Sequence, residues 1–430
     1  MNFPHLQSSL ERQLVLTAPR TAAILERALS ERDISIDEAT ALFDADGADL
    51  LAMIAAADHL RARTVGDVVT YVINRNINFT NVCVKACGFC AFSRGHLADQ
   101  GYFLPNEEII GRAREAYELG ATEVCVQAGL APGMDGWQYV NLCRALKAAL
   151  PELHIHGFSP EEVLYGSTLA RVTVRDYLAA LKDAGVGSLP GTSAEVLIDE
   201  IRQQISPGRI ATAQWIDLIQ TAHELGIPTT STIMYGHVEG SRDKAVHLDI
   251  LRQIQRRTGG ITEFVPLSFV YEEAPMFHRK PPAGLRRGAS GAEVMKMYAV
   301  SRLMLNRDIP NLQVSWVKEG PKLSQIALLA GANDFGGTLI NESISTAAGA
   351  SYGQLMKPSQ FRDLIRDMGR IPAERSTTYS KVRVFESESA HRDLLDEVND
   401  PAERFGSYHN LIQLKEYRFK DFYRGQKATH

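Results

Sequence analysis

Three of the five cysteines in this 430-residue chain sit together in NVCVKACGFCAF, as Cys83, Cys87 and Cys90. The spacing is C-x3-C-x2-C, a density that the overall cysteine content would almost never produce by itself. Thiolates are soft ligands, so three on a short loop can converge on a soft metal. Structural zinc takes four ligands, and the next candidate after the triplet is His96. A 4Fe-4S cluster also normally takes four cysteines, and three would leave one iron open to a molecule carrying amino and carboxylate groups. The open-iron cluster is the preferred reading, with zinc completed by His96 as the alternative. Cys125 and Cys143 lie in apolar patterns and read as packing.

The elements around the triplet must hold it in place. Residues 18–66 repeat Ala, Leu, Glu and Arg at helical spacing. From about residue 68 the pattern changes to short runs rich in Val, Ile and Thr, each followed by an amphipathic stretch. Eight strands are expected at 68–80, 122–129, 153–160, 186–193, 227–236, 262–269, 312–317 and 333–340. Gly120, Gly185 and Gly226 close helices just before strands. Strands alternating with helices pair in parallel through right-handed crossovers, and eight such units predict an α/β fold, a (β/α)8 TIM-type barrel. An open doubly wound sheet is the runner-up, weakened because no G-x-G-x-x-G follows the first strand. The expected organisation is a helical segment over 1–66, a barrel over 67–370 and an extension over 371–430 packing on it. That extension carries aromatics at Tyr408, Tyr417, Phe419, Phe422 and Tyr423. The triplet follows the first strand, which places it at the C-terminal face, where barrel active sites lie.

Composition excludes several classes. Hydrophobic residues are 45% and charged residues 23%, ordinary for a globular protein. The 46 Lys and Arg against 51 Asp and Glu give a net charge of −5, which recommends neither nucleic acid nor an anionic membrane as partner. The N-terminus has no basic patch followed by an apolar run, so it does not read as a secretory signal, and no run is long enough to span a membrane. Five cysteines are too few and too odd for a disulfide scaffold, and a cytoplasmic protein with reduced thiols is expected. The basic stretch RKPPAGLRRGASG (279–291) reads as a solvated loop, with a lid as the alternative.

The triplet, with Phe89 ahead of its last cysteine, resembles the radical S-adenosylmethionine (SAM) enzymes. In that superfamily the open iron chelates SAM, and one electron cleaves it to a 5'-deoxyadenosyl radical. The segments INFTNVCVKACGFCAFSRG, TEVCVQAGLAPGMDG, HIHGFSPEEV, GVGSLPGTSAEVL, IPTTSTIMYGHVE, TEFVPLSFVYEEAP and GANDFGGTLINESIS are similar to the subunit 2 family of FO synthase, over about residues 40 to 380. The resemblance implies a transferase. The radical would take a hydrogen from the amino group of L-tyrosine, the Cα–Cβ bond would break to release 2-iminoacetate, and the 4-hydroxybenzyl radical would add to 5-amino-6-(D-ribitylamino)uracil. It also implies FO synthase subunit 1 as functional partner and a reductase, flavodoxin or ferredoxin as electron donor. Cyclic dehypoxanthinylfutalosine synthase is the closest competitor, and a non-catalytic metal-binding protein is the alternative of another class.

The resemblance also implies site residues. Cys83, Cys87 and Cys90 hold the cluster. Phe89 packs near the adenine, or else closes the loop as a core aromatic. Gln127 and Gly129 end the second strand where relatives contact the SAM amine, with an ordinary turn as the plain reading. Glu195 suits the SAM ribose and Arg209 its carboxylate, or the two form a surface pair. Of the two histidines on the third strand, His154 and His156, the choice is His156, nearer the C-terminal end, as a polar contact or proton relay, with a satisfied core histidine as the plain reading. Tyr235, Ser268, Asn333, Asp334 and Glu342 are expected at later strand ends as substrate contacts, Glu342 equally as a helix-start carboxylate.

Overall fold

The computed structural model describes residues 4–387 and 391–421. Phe422 and Tyr423, expected to pack with the tail, lie outside the described residues. The chain opens with four helices, Pro4–Val15, Pro19–Leu29, Ile36–Asp44 and Ala48–Val65. The third starts with a capping box, in which Ser35 accepts from the Glu38 amide and Glu38 returns the bond. The fourth buries Ala52, Met53, Ala56, Ala57 and Leu60, a stripe of mostly small side chains that lets it pack closely on the helix Gly291–Leu305.

Among the described residues nine strands follow: β1 Val68–Val72, β2 Asn74–Ile77, β3 Glu123–Val126, β4 His154–His156, β5 Thr229–Tyr235, β6 Ile261–Ser268, β7 Asp334–Gly337, β8 Ile371–Arg375 and β9 Lys381–Val384. The parallel pairings run full circle. β2 pairs with β3 and β3 with β4. His156 bridges Ser188, and Leu189 bridges Thr229 at the start of β5. β5 pairs with β6, Phe264 bridges Leu312, and Gln313 bridges Asp334. Thr70 then pairs with Asp334, Val72 with Gly337, and Arg75 bridges Ile340. Each expected strand segment contributes to this circuit, two of them only as single bridges. The fold is the (β/α)8 barrel that the strand and helix alternation predicts.

Alternation decides what faces the axis. On β5, Thr230, Thr232 and Met234 line the interior, while Ser231, Ile233 and Tyr235 are buried on the other side. On β6, Glu263, Val265 and Leu267 point inward.

The chain beyond residue 370 does more than pack on the barrel. β8 runs parallel to β1, from Val68 opposite Ile371 to Tyr71 opposite Glu374, and turns back antiparallel into β9. The hairpin pushes Arg375 and Thr377 into the barrel's interior. Later segments wrap the outside: Tyr408 packs against Phe92, and the Phe103 amide donates to the Tyr417 carbonyl. Among the described residues no helix is long and apolar enough to cross a membrane.

Candidate active site

A cavity of about 420 Å³ occupies the barrel axis, and Cys83, Cys87 and Cys90 all line it. The loop carrying them is pinned at several points. The Cys83 amide donates to the Arg94 carbonyl at 3.0 Å. The Gly88 amide donates to Ile205 and its carbonyl accepts from Met276, at 2.8 and 2.7 Å. A β-carbon on Gly88 would lie 2.9 Å from that of Met276, so only glycine fits without a shift. Burial pushes the Cys87 thiol up to about 12 and raises Cys90 as well. Thiols so placed become thiolates only beside strong positive charge, which a bound iron–sulfur cluster provides. Among the described residues no group of three or more His, Cys, Asp or Glu side chains is drawn together to hold a single metal ion. Three thiols on one short loop at the cavity are the donor set of a cluster with one iron left open, and His96 is absent from the cavity wall.

Beside the triplet stands a buried charge network. Arg209 pairs with Glu195 at 2.9 Å and with Glu161 at 3.5 Å, and its Nη1 donates to Cys87 Sγ at 3.6 Å. Its guanidinium lies 5.9 Å from the centre of the Phe89 ring. Burial works against its charge, but Glu195, Cys87 and Glu161 hold its pKa above the usual arginine value. This is a buried network on the cavity wall, where the alternative reading had a surface pair. Ser193 and Glu195 adopt φ of 63° and 42°, a left-handed conformation uncommon outside glycine. Glu195 Oε2 is buried without a hydrogen bond and has the Arg202 guanidinium 3.7 Å away, so it can still accept from a hydroxyl or ammonium group in the cavity.

The remaining expected residues divide. Phe89, Gln127, His156, Ser268 and Glu342 line the cavity. Gln127 donates to Thr192 Oγ1 at 2.8 Å. His156 shares the Ser188 hydroxyl with His154, at 2.7 and 2.8 Å, and burial depresses its pKa to about 4. Burial raises Glu342, whose carboxylate accepts from the Ser345 amide at 2.9 Å at the start of the helix Ile344–Ala347. Glu342 thus serves that helix start while facing the cavity.

Gly129, Tyr235, Asn333 and Asp334 do not line it, and each has a structural reason. A side chain on Gly129 would meet the Val82 carbonyl at 2.3 Å, so the glycine packs strand end against loop. Tyr235 lies on the outward side of β5 and donates to Glu319 at 3.2 Å. Asn333 and Asp334 stand at the start of β7, the N-terminal end of the barrel, not at the mouth. Asn333 accepts from Arg302 and the Leu312 amide, both at 2.8 Å. Asp334 accepts from Arg375 at 2.5 and 2.9 Å and from Thr70.

Sequence reasoning missed Lys85, Glu161, Glu162 and Lys318, all on the cavity wall. Lys85 pairs with Glu161 at 3.1 Å. Burial raises Glu162 to about 7 while it accepts from the Ser159 and Ala128 amides, each at 2.8 Å. Ser159 and Glu162 form a capping box, and that S-x-x-E signature was readable in FSPEEV.

The comparisons agree with this geometry. Residues 77–249 match the Radical SAM superfamily, and residues 258–388 match the CofH/MqnC C-terminal region. The 5-amino-6-(D-ribitylamino)uracil–L-tyrosine 4-hydroxyphenyl transferase of Methanothermobacter thermautotrophicus is 49% identical over 364 residues, covering 84% of this chain and 98% of that protein. Its counterpart in Methanocaldococcus jannaschii is 47% identical, covering 81% and 97%. Among solved structures, methylornithine synthase (PylB) aligns with a TM-score of 0.63 at 18% identity, covering 81% of this chain and 97% of that one. The FeFe-hydrogenase maturase HydG of Carboxydothermus hydrogenoformans gives 0.64 at 14% identity, covering 87% and 84%. At such identities the structures speak for the fold alone. The sequence relationship goes further, and by it the chain belongs to the family of 5-amino-6-(D-ribitylamino)uracil–L-tyrosine 4-hydroxyphenyl transferases within the radical SAM superfamily.

Proposed function

We propose that this protein joins the 4-hydroxybenzyl group of L-tyrosine to 5-amino-6-(D-ribitylamino)uracil, the coupling step of deazaflavin (FO) chromophore synthesis. The observation that carries it is identity near one half across 98% of a transferase of that name. When bound, the 4Fe-4S cluster and SAM supply a 5'-deoxyadenosyl radical capable of taking hydrogen from tyrosine.

The chain's own residues do the rest. Cys83, Cys87 and Cys90 hold the cluster against the cavity wall. Arg209 is a permanently charged fork suited to the SAM carboxylate, with Glu195 beside it offering to the ribose hydroxyls an oxygen that makes no hydrogen bond of its own. His156 is neutral at pH 7, so it can accept a proton or hydrogen bond but has none to give as an imidazolium. A cavity inside a barrel keeps the reacting partners in contact, which a carbon radical requires. FO synthase subunit 1 receives the coupled product, and a flavodoxin, ferredoxin or reductase delivers the electron. A reducing cytoplasmic setting keeps all five cysteines free, as they are here.

The test is anaerobic turnover of the reconstituted enzyme with reductant, SAM, tyrosine and the ribitylaminouracil. We expect 5'-deoxyadenosine together with the coupled product in the absorption and mass spectra. Formation of 5'-deoxyadenosine only when futalosine derivatives replace those substrates would overturn the assignment.

A further inference from the structure

The cavity does not end at the cluster. It runs down the barrel axis to a polar floor formed by Glu123, His156, Glu263, Gln313, Arg375 and Thr377. Between mouth and floor lies a band with Val72, Met234, Val265, Leu267 and Leu339 on its wall. Two of the floor residues come from the hairpin after residue 370, so the site is closed below by a segment outside the barrel circuit.

Charge sorts what each level can accept. The floor holds one cation, Arg375, already committed to Asp334 and to Glu263 at 3.5 Å and stacked 4.1 Å from the Tyr379 ring centre. Glu263 and Asp334 pair with it, and Glu123 stands beside His156 on the same floor. Another carboxylate meets one committed cation there, whereas the mouth gathers three, Lys85, Arg209 and Lys318, the first two already paired with Glu161 and Glu195 and the third hydrogen-bonded to Ser345. Both SAM and tyrosine carry a carboxylate, so their amino-acid ends belong at the mouth. An aryl ring suits the apolar band. A neutral polyol suits the floor, because carboxylates, amides and a threonine can each give or take a hydroxyl hydrogen bond. Asn76 Oδ1 is also buried on the cavity wall without a hydrogen-bond partner, an acceptor open to a pyrimidine N–H.

From this arrangement we infer that the barrel floor is the subsite for the polyhydroxylated side chain of the pyrimidine substrate, with Gln313 and Thr377 as specificity-determining residues. The inference rests on the function proposed above. The ribityl chain hangs from the ring carbon next to the reacting one. Holding it at the floor therefore fixes the ring below the mouth, in line with the aryl group.

The test uses the full-length holoenzyme, with wild type, Thr377→Val and Gln313→Leu assayed anaerobically. Two pyrimidines are compared: the ribitylaminouracil and 5-amino-6-(methylamino)uracil, which lacks the polyol. Each variant should raise KM for the ribityl substrate about three- to tenfold while KM for tyrosine stays put. Wild type should use the methylamino compound about 10- to 100-fold less well, because buried floor groups lose their partners, and the variants should weaken it no further. Iron content and circular dichroism verify each fold. If one variant misfolds, the other and the wild-type substrate comparison decide. A rise in KM for tyrosine instead would put the phenol at the floor and overturn the inference, as would a wild type that treats both pyrimidines alike. Should wild type couple neither pyrimidine, the proposed function fails and this inference falls with it, an outcome distinct from either of the others.

Discussion

The mouth and the floor of this barrel are built in opposite ways. At the mouth, functional groups come in short runs: Cys83, Cys87 and Cys90 on one loop, Ser159 to Glu162 at one helix start, Ser193 and Glu195 on another loop. The floor takes single side chains from strands far apart in the sequence, at 123, 156, 263, 313 and 375. A multi-ligand centre needs several donors at fixed spacing, and a loop supplies them together. A polar floor needs one residue from each of several strands, and only the fold assembles it. The mouth can therefore be found by motif, while the floor can be found only by register.

The comparison breaks first where the mouth is strongest. Replacing any one of Cys83, Cys87 and Cys90 by Ala should abolish SAM cleavage, since three thiols already leave one iron open and two leave the cluster without its ligand set. Iron and labile-sulfide analysis with 5'-deoxyadenosine assay checks this. Retained turnover in all three variants, or one zinc with no labile sulfide in wild type, would remove the ligand assignment. Arg209→Lys should come next, weakening SAM binding about 10- to 100-fold, because a lysine cannot keep the planar fork that meets Glu195, Glu161 and Ser193 together and presents it to a carboxylate. Equilibrium binding of SAM reads it directly.

How far the sequence reached follows the same division. All eight barrel segments were legible from periodicity, and the cluster loop from spacing. Tyr235 was misplaced although its parity was available: it keeps step with Ile233 and Ser231, and the inward positions are Thr230, Thr232 and Met234. Polar groups beside a strand invite a mouth reading for Asn333 and Asp334. They open β7 instead, where Asp334 meets Arg375. No local signal marks Arg375, since its role depends on a hairpin pairing with β1 some 300 residues earlier in the chain.

Asn333 therefore offers a sharper contrast. Its Oδ1 holds the buried Arg302 and the Leu312 amide. Asn333→Ala leaves both without that acceptor and should cost about 2–4 kcal/mol of stability. Because the side chain is off the cavity wall, kcat and the substrate KM values of the folded fraction should stay at wild-type levels. Denaturant titration with steady-state kinetics separates the two. A specific loss of kcat without a loss of stability would return Asn333 to the site.

The smallest effect sets mouth against floor by the sign of a pH slope. Burial raises Glu162, at the mouth, to about 7, above its ordinary value of 4.5. Between those values the native state holds a proton the unfolded chain has released. The stabilisation from this group is complete below pH 4.5 and is lost as pH rises through about 7. His156, at the floor, goes the other way, since burial lowers it from 6.5 to about 4. There the unfolded chain binds the extra proton, so the stabilisation is complete above pH 6.5 and is lost as pH falls towards 4. Each slope is at most about 1.4 kcal/mol per pH unit, one proton's worth. Glu162→Gln should flatten the stability curve between pH 4.5 and 7, and His156→Gln should flatten it between 6.5 and 4, with denaturation midpoints followed across pH in each variant. Where the windows overlap the two slopes oppose, so removing either group exposes the other. If both variants shifted the curve in the same sense, the two carboxylate and imidazole environments would not be the opposites that their burial and partners make them.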